Sequence, residues 1–196
     1  MNYFFYFLFI IISCKPDNSI KKVNYSTYYE KAKVYCQNNN LNTKYFVLVD
    51  LGIHSGKKRF YVYDFNQNKI TSSYTVSHGC GDNEWGKDYS KETPKISNEF
   101  DSHCSSIGKF VITKRGASQW GIGVNYTLIG KDKTNSNAQK RAIVLHSWNA
   151  ISNDEIYPKG IPEGWGCPAI SNEAMTELDA KLKKTKKSTL LWIIKS

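Results

Sequence analysis

The sequence predicts a β-rich α+β domain, and three observations carry that expectation. Aromatic residues are frequent, with 13 Tyr, 9 Phe and 5 Trp among 196 residues, and such side chains suit the half-buried surface of a sheet. Short β-patterned runs follow one another from residue 45 to the C-terminus, separated by Gly- and Asn-rich turns. Beyond residue 40, a single segment carries an amphipathic helical stripe. Strands in series with few helices form a sheet-based domain, and this length suits one domain. A composition 40% hydrophobic and 22% charged excludes a disordered chain. The lack of a fixed-period repeat excludes solenoids and propellers.

The elements follow in order. Residues 15–25 are polar and aperiodic and read as a tether. Thr27 and Glu30 have capping-box spacing, and Tyr28, Ala32 and Tyr35 recur at helical intervals, predicting a short helix to about Gln37 that Asn38, Asn39 and Asn40 end. Strands are expected at 45–50, 60–64, 69–77, 107–113, 124–129, 141–146 and 189–195. One late helix is expected after Ser171. That serine is a good N-cap, Glu173 lies in the first turn, and Met175, Leu178 and Leu182 form an apolar stripe.

The N-terminus suggests a compartment. Residues 3–12 are an unbroken apolar run. It is shorter than the roughly 20 residues that span a bilayer and fits a secretory signal. Ile11-Ile12-Ser13-Cys14 then resembles a bacterial lipobox, in which the cysteine is lipidated after cleavage. The expected organisation is a lipoprotein signal peptide at 1–13, a tether and short helix at 14–40, and a catalytic domain at 41–196. The expected location is the bacterial cell envelope, with Lys15, Lys21 and Lys22 beside anionic lipid. A buried N-terminal strand or an uncleaved anchor is the alternative. The net charge of +10 suits a membrane face, an acidic cell-wall polymer or nucleic acid. No recognition helix or nucleic-acid-binding aromatic pattern supports the last.

The chemistry-bearing residues are Cys14, Cys36, Cys80, Cys104 and Cys167 with His54, His78, His103 and His146. Context separates them. Cys167 sits between a Gly turn, Gly164-Trp165-Gly166, and a helix start. Exposed N–H groups there favour a thiolate and can receive an oxyanion. His146 ends an apolar strand, and Pro158, Gly160 and Pro162 lie in the loop between the two, which can fold back. A Cys167–His146 dyad follows as a candidate, against an inert thiol and a core histidine. His78, Cys80, His103 and Cys104 form a competing zinc set with the wrong spacing for known knuckles. A Cys80–Cys104 disulfide is the more plausible use of those thiols, with Cys36 the odd one. No metal and no cofactor is expected.

Arg141-Ala142-Ile143-Val144-Leu145-His146 followed by Gly164-Trp165-Gly166-Cys167-Pro168-Ala169-Ile170-Ser171 resembles the signature of the L,D-transpeptidase catalytic (YkuD-type) superfamily. The resemblance is closer to its murein L,D-transpeptidase catalytic domain-like branch. Ser77-His78-Gly79, Ile96-Ser97-Asn98 and Ser105-Ser106-Ile107-Gly108, with Asp50, Arg59 and the 60–64 strand, match that branch in the same order, covering about residues 41–196. The resemblance implies a mixed β-sandwich or barrel-like fold with a short N-terminal helix and a late helix after the nucleophile. It implies Cys167 as nucleophile, His146 as base, an oxyanion site at the Gly166 and Cys167 N–H groups, and Ser147 orienting the histidine. The implied activity is peptidoglycan L,D-transpeptidation through a thioester. The alternatives are a carboxypeptidase or endopeptidase on the same site, or a non-catalytic cell-wall-binding lipoprotein. Gly164 stands where the branch usually has Ser, and Ala169 where the wider superfamily has Arg. Carboxylate binding is therefore expected from Arg141 or a loop lysine. His78 and Trp165 are expected beside the cleft as substrate contacts, and Trp85, Trp120 or Trp148 could stack on sugars.

Overall fold

The computed structural model describes residues 23–196. Its elements are α1 (Ser26–Asn38), β1 (Tyr45–Asp50), β2 (Phe60–Asp64), β3 (Lys69–Tyr74), β4 (Gly108–Ala117), β5 (Val124–Gly130), a 3-10 turn (Lys133–Asn135), β6 (Val144–Ser147), β7 (Ala169–Ile170), α2 (Asn172–Lys183) and β8 (Thr189–Ile194). The expected β-rich class is observed. The strands form one eight-stranded mixed sheet in the order β3-β2-β1-β8-β4-β5-β6-β7. The β1/β8 and β6/β7 pairs are parallel and the rest antiparallel.

The period of two explains why the middle of the sheet is apolar on both faces. In β1, Val47 and Val49 face one core while Phe46 and Leu48 face the other. In β8, Leu191 and Ile193 face the first and Leu190 and Ile194 the second. The first core receives the α2 stripe, Ala174, Met175, Leu178 and Leu182. Asp179 docks the polar flank of that helix by accepting from Arg115 Nε and Tyr126 O–H, each at 2.7 Å. The second core receives Ala32 and Cys36 of α1. Tyr25 O–H ties the start of α1 to Asp50 at 2.7 Å. The sheet curls around α2 until its ends meet. Ser77 N–H, just past β3, donates to Ala169 O of β7 at 2.8 Å, and Gly79 bridges Gly164.

Several boundaries differ from those read along the sequence. The α1 N-cap is Tyr25 and has no side-chain cap, so the Thr27 and Glu30 capping box is not formed. β3 stops at Tyr74 because the chain there leaves β2 and crosses towards β7. The strand expected at 141–146 begins only at Val144, since Ala142 is left-handed at φ 53° and turns the chain. β7 is two residues long and carries no periodic signal. The Ser171 cap is as expected: its Oγ accepts from Ala174 N–H at 3.1 Å.

Candidate active site

The site lies at the β6–β7 end of the sheet. The two strands are parallel, with His146 opposite Ala169 and Ser147 opposite Ile170. Continuing that register backwards sets Val144 beside Cys167, and Val144 N–H donates to Cys167 Sγ at 3.4 Å. Paired residues of parallel strands share a face, so His146 and Cys167 both open into one cleft. The cleft, about 140 Å³, is lined by Trp85, Trp120, His146, Trp148, Gly164, Trp165, Cys167 and Ala169.

His146 has an assigned tautomer. Its Nδ1 lies 2.9 Å from Ser147 O. A carbonyl only accepts, so Nδ1 carries the proton and Nε2 keeps its lone pair. Burial pushes the imidazole below its ordinary value, and the Ser147 bond offsets part of that. Burial likewise pushes the Cys167 thiol up, opposed by Val144 N–H and the charge of Arg141. The resting pair is therefore a neutral imidazole and a neutral thiol, a base awaiting a proton rather than a preformed ion pair. They share the cleft without a hydrogen bond between them. The sulfur turns instead towards Val144 N–H and Ala142 O, the latter 3.9 Å away.

Gly166 has φ 97°, and a Cβ there would stand 2.3 Å from Cys104 O. The glycine is thus demanded by the packing of the Cys167 segment on residue 104 as well as by its backbone angle. Among the described residues, the N–H groups of Gly166 and Cys167 find no protein acceptor. Two donors next to the sulfur are therefore open to a developing oxyanion. Ser147 orients His146 through its carbonyl. Its hydroxyl serves another purpose, accepting Ile122 N–H at 3.0 Å and seating the turn that carries Trp120.

The expected substrate contacts divide. Trp165 lines the cleft, is 62% exposed and stacks on His103 at 5.0 Å. Trp85, Trp120 and Trp148 form the facing wall, with ring centroids 5.0–6.1 Å apart. His78 does not reach the cleft: it is fully buried. Arg59 Nη2 lies 2.6 Å from its Nδ1, and a guanidinium only donates, so His78 Nδ1 accepts. Nε2–H then donates to Ser90 Oγ at 2.8 Å, and Ser90 O–H donates to Glu163 Oε1 at 2.9 Å. Burial pushes the Glu163 carboxyl up, but the nearby His78 ring and the two Ser90 donors outweigh it and hold the acid below its usual range. Arg141 is also drawn away, donating to Ser97 O at 3.1 Å and to Cys104 O at 2.5 Å. Among the described residues, no lysine or arginine lines the cleft.

Ser90 and Glu163 were not singled out by sequence reasoning, because neither belongs to a periodic element or a motif. Glu163 N–H donates to Lys87 O and its carbonyl accepts from Gly86 N–H, which clamps the Trp85 loop to the segment that leads to Cys167. The zinc set is not assembled. Both nitrogens of His78 are engaged, and no group of three or more His, Cys, Asp or Glu among the described residues is arranged to hold a metal. Cys36, Cys80, Cys104 and Cys167 are free thiols, so the expected Cys80–Cys104 disulfide is not formed. Burial pushes Cys36 up to about 12. Cys14 lies outside the described residues.

A family model described as an L,D-transpeptidase catalytic domain matches residues 19–192. Among solved structures, the chain is similar to Bd1075 of Bdellovibrio bacteriovorus at 18% identity and TM-score 0.45, covering 80% of this chain and 49% of that one. It is similar to an L,D-transpeptidase of Xylanimonas cellulosilytica at 13% identity and TM-score 0.41, covering 82% and 68%. It is also similar to a helical cell shape determining protein of Campylobacter jejuni at 13% identity and TM-score 0.42, covering 86% and 56%. The chain spans about half the length of the Bdellovibrio and Campylobacter proteins. No curated protein matches.

Proposed function

The chain belongs to the L,D-transpeptidase catalytic domain family, and from that premise we propose that it is a cysteine-dependent acyltransferase acting on peptidoglycan stem peptides. The observation that carries this reading is the shared face of β6 and β7, which opens Cys167 and His146 into one cleft with Nδ1 pinned on Ser147 O. In the proposed reaction His146 Nε2 takes the thiol proton as Cys167 Sγ attacks the carbonyl of an L-configured centre. The oxyanion forms against the Gly166 and Cys167 N–H groups. Collapse breaks the amide, the His146 imidazolium gives its proton to the departing D-residue amine, and a thioester remains. An acceptor amine then attacks the thioester, losing its proton to His146 and releasing the sulfur. Water in place of the amine makes the same site a carboxypeptidase.

We further propose, from the Ile11-Ile12-Ser13-Cys14 run, that Cys14 is lipidated and holds the domain in the cell envelope. Loss of labelled palmitate in Cys14→Ala is the expected result, and persistence refutes it. The catalytic reading is tested by intact-mass spectrometry after incubation with a purified muropeptide. The expected result is an acyl adduct on Cys167, absent in Cys167→Ala, and a transferred product only when an amine acceptor is added. A free peptide product irrespective of acceptor would assign hydrolysis. No adduct with any stem peptide would leave a cell-wall-binding lipoprotein as the reading.

A further inference from the structure

Arg141 precedes β6 in the turn that the left-handed Ala142 completes. Its half-buried guanidinium is fixed by two backbone carbonyls, Ser97 O and Cys104 O. It also abuts the nucleophile segment: Nη2 lies 3.2 Å from where a Cβ on Gly166 would stand. None of the ion pairs among the described residues includes Arg141. A guanidinium stays charged in proteins, and neutral carbonyls hold it without cancelling that charge. In a partly desolvated setting it acts on nearby groups with little screening. The ionisable groups around it are two sulfurs, Cys104 and Cys167.

We propose that Arg141 is an electrostatic positioning residue for the nucleophile: its guanidinium, held beside Gly166, favours negative charge on Cys167 Sγ and on the oxyanion formed at the adjacent N–H groups. This gives a use to an arginine that, among the described residues, has no acidic partner and stands next to a cleft with no cation in its lining. It also gives the Ser97 and Cys104 segments a shared purpose, since their carbonyls aim the fork. The proposal rests on Cys167 as the nucleophile, but its test needs no turnover.

The test is the pH dependence of Cys167 alkylation by iodoacetamide, followed by mass spectrometry of the Cys167 peptide. Arg141→Met is expected to raise the ionisation midpoint by about one pH unit, as loss of a nearby opposite charge does. Arg141→Lys keeps the charge and loses the fork, and is expected to move it less than half as far. Arg141→Gln, which can still donate to one carbonyl, is the second neutral variant should the Met variant unfold. His146 shares the cleft with the sulfur, and Cys104 is the other thiol near Arg141, so the series is repeated in Cys104→Ser, where the same shifts are expected. With a muropeptide, kcat/KM should fall in step with alkylation while KM changes less than about two-fold. An unmoved midpoint in the neutral variants overturns the proposal. Equal shifts in the Lys and Met variants also overturn it, because the carbonyl bonds rather than the charge would then matter. A raised KM with an unmoved midpoint would make Arg141 a ligand for a substrate carboxylate. A wild type that forms no acyl adduct, yet whose midpoint responds to Arg141, would instead break the catalytic reading alone.

Discussion

His146 uses one ring nitrogen on Ser147 O and leaves the other facing the cleft, whereas His78 engages both, on Arg59 and on Ser90, inside full burial. Each histidine follows a β-patterned run and precedes a small residue, and each lies beside the segment that carries Cys167. The difference between them is valence left over. A ring with one free nitrogen can move a proton, and a ring with none can only hold its neighbours in place. The surroundings follow the same division. Around His146 the N–H groups of Gly166 and Cys167 are open. Around His78, Arg59 fills its donors on Val76 O, Ile53 O and Lys91 O as well as on the imidazole. One ring keeps a nitrogen facing the cleft, whereas the fold fills both nitrogens of the other.

The largest effects should break the open region without disturbing the closed one. Cys167→Ala is expected to abolish acyl-enzyme formation, measured by intact mass, while the cooperative unfolding transition persists. His146→Ala should lower the rate of acylation by about 10²- to 10⁴-fold, the usual contribution of a general base. Its acid limb in the wild type should lie below the ordinary histidine value of about 6.5, because burial lowers the imidazole. A pH profile with its acid limb above that value would assign the base elsewhere.

The closed region should respond in stability first. Glu163→Ala removes the acceptor of both the Ser90 N–H and the Ser90 hydroxyl, and a buried donor left unpaired costs about 1–3 kcal/mol. Urea denaturation should show that loss, and an unchanged midpoint would mean that the relay is not formed in solution. Both histidines have folded-state values lowered by burial, so the unfolded chain binds protons that the folded one does not. Stability should therefore fall as pH drops through about 6.5, by up to about 1.4 kcal/mol per pH unit for each histidine. A denaturation midpoint that is flat between pH 7 and 5 would contradict the lowering of both imidazoles by burial. Ser147→Ala should cost about 1–3 kcal/mol by orphaning Ile122 N–H. It should reduce kcat only a few-fold, because the histidine is held by the carbonyl that the variant keeps. The smallest effect is expected from Cys36→Ser and Cys80→Ser, which should retain acylation since neither thiol lines the cleft.

The two helices and most strands were legible in the sequence because their signals are local. Ser171 with Glu173 and the Met175, Leu178 and Leu182 stripe needed only spacing, and the alternating runs of β1 and β8 needed only the period of two. Cys167 and His146 were legible for the same reason, since a Gly turn before a helix and a strand end are written in adjacent residues. The relay of Arg59, His78, Ser90 and Glu163 was not legible. Arg59 and His78 stand in recognisable segments, but Ser90 and Glu163 belong to no motif or periodic element, and no local signal joins the four.

By itself, then, the sequence determined which segments could be strand or helix and which cysteine stood in a chemically favourable turn. Those properties depend on neighbours within a few residues. Only the tertiary structure decided what each polar side chain had left to offer. The parallel seam of β6 and β7 opened His146 and Cys167 onto one face. Burial closed His78 off from substrate, and the carbonyls of Ser97 and Cys104 drew Arg141 out of the cleft lining. A hydrogen-bonding group acts on a substrate through the bonds the fold does not already fill, and that remainder is set by partners far away in sequence.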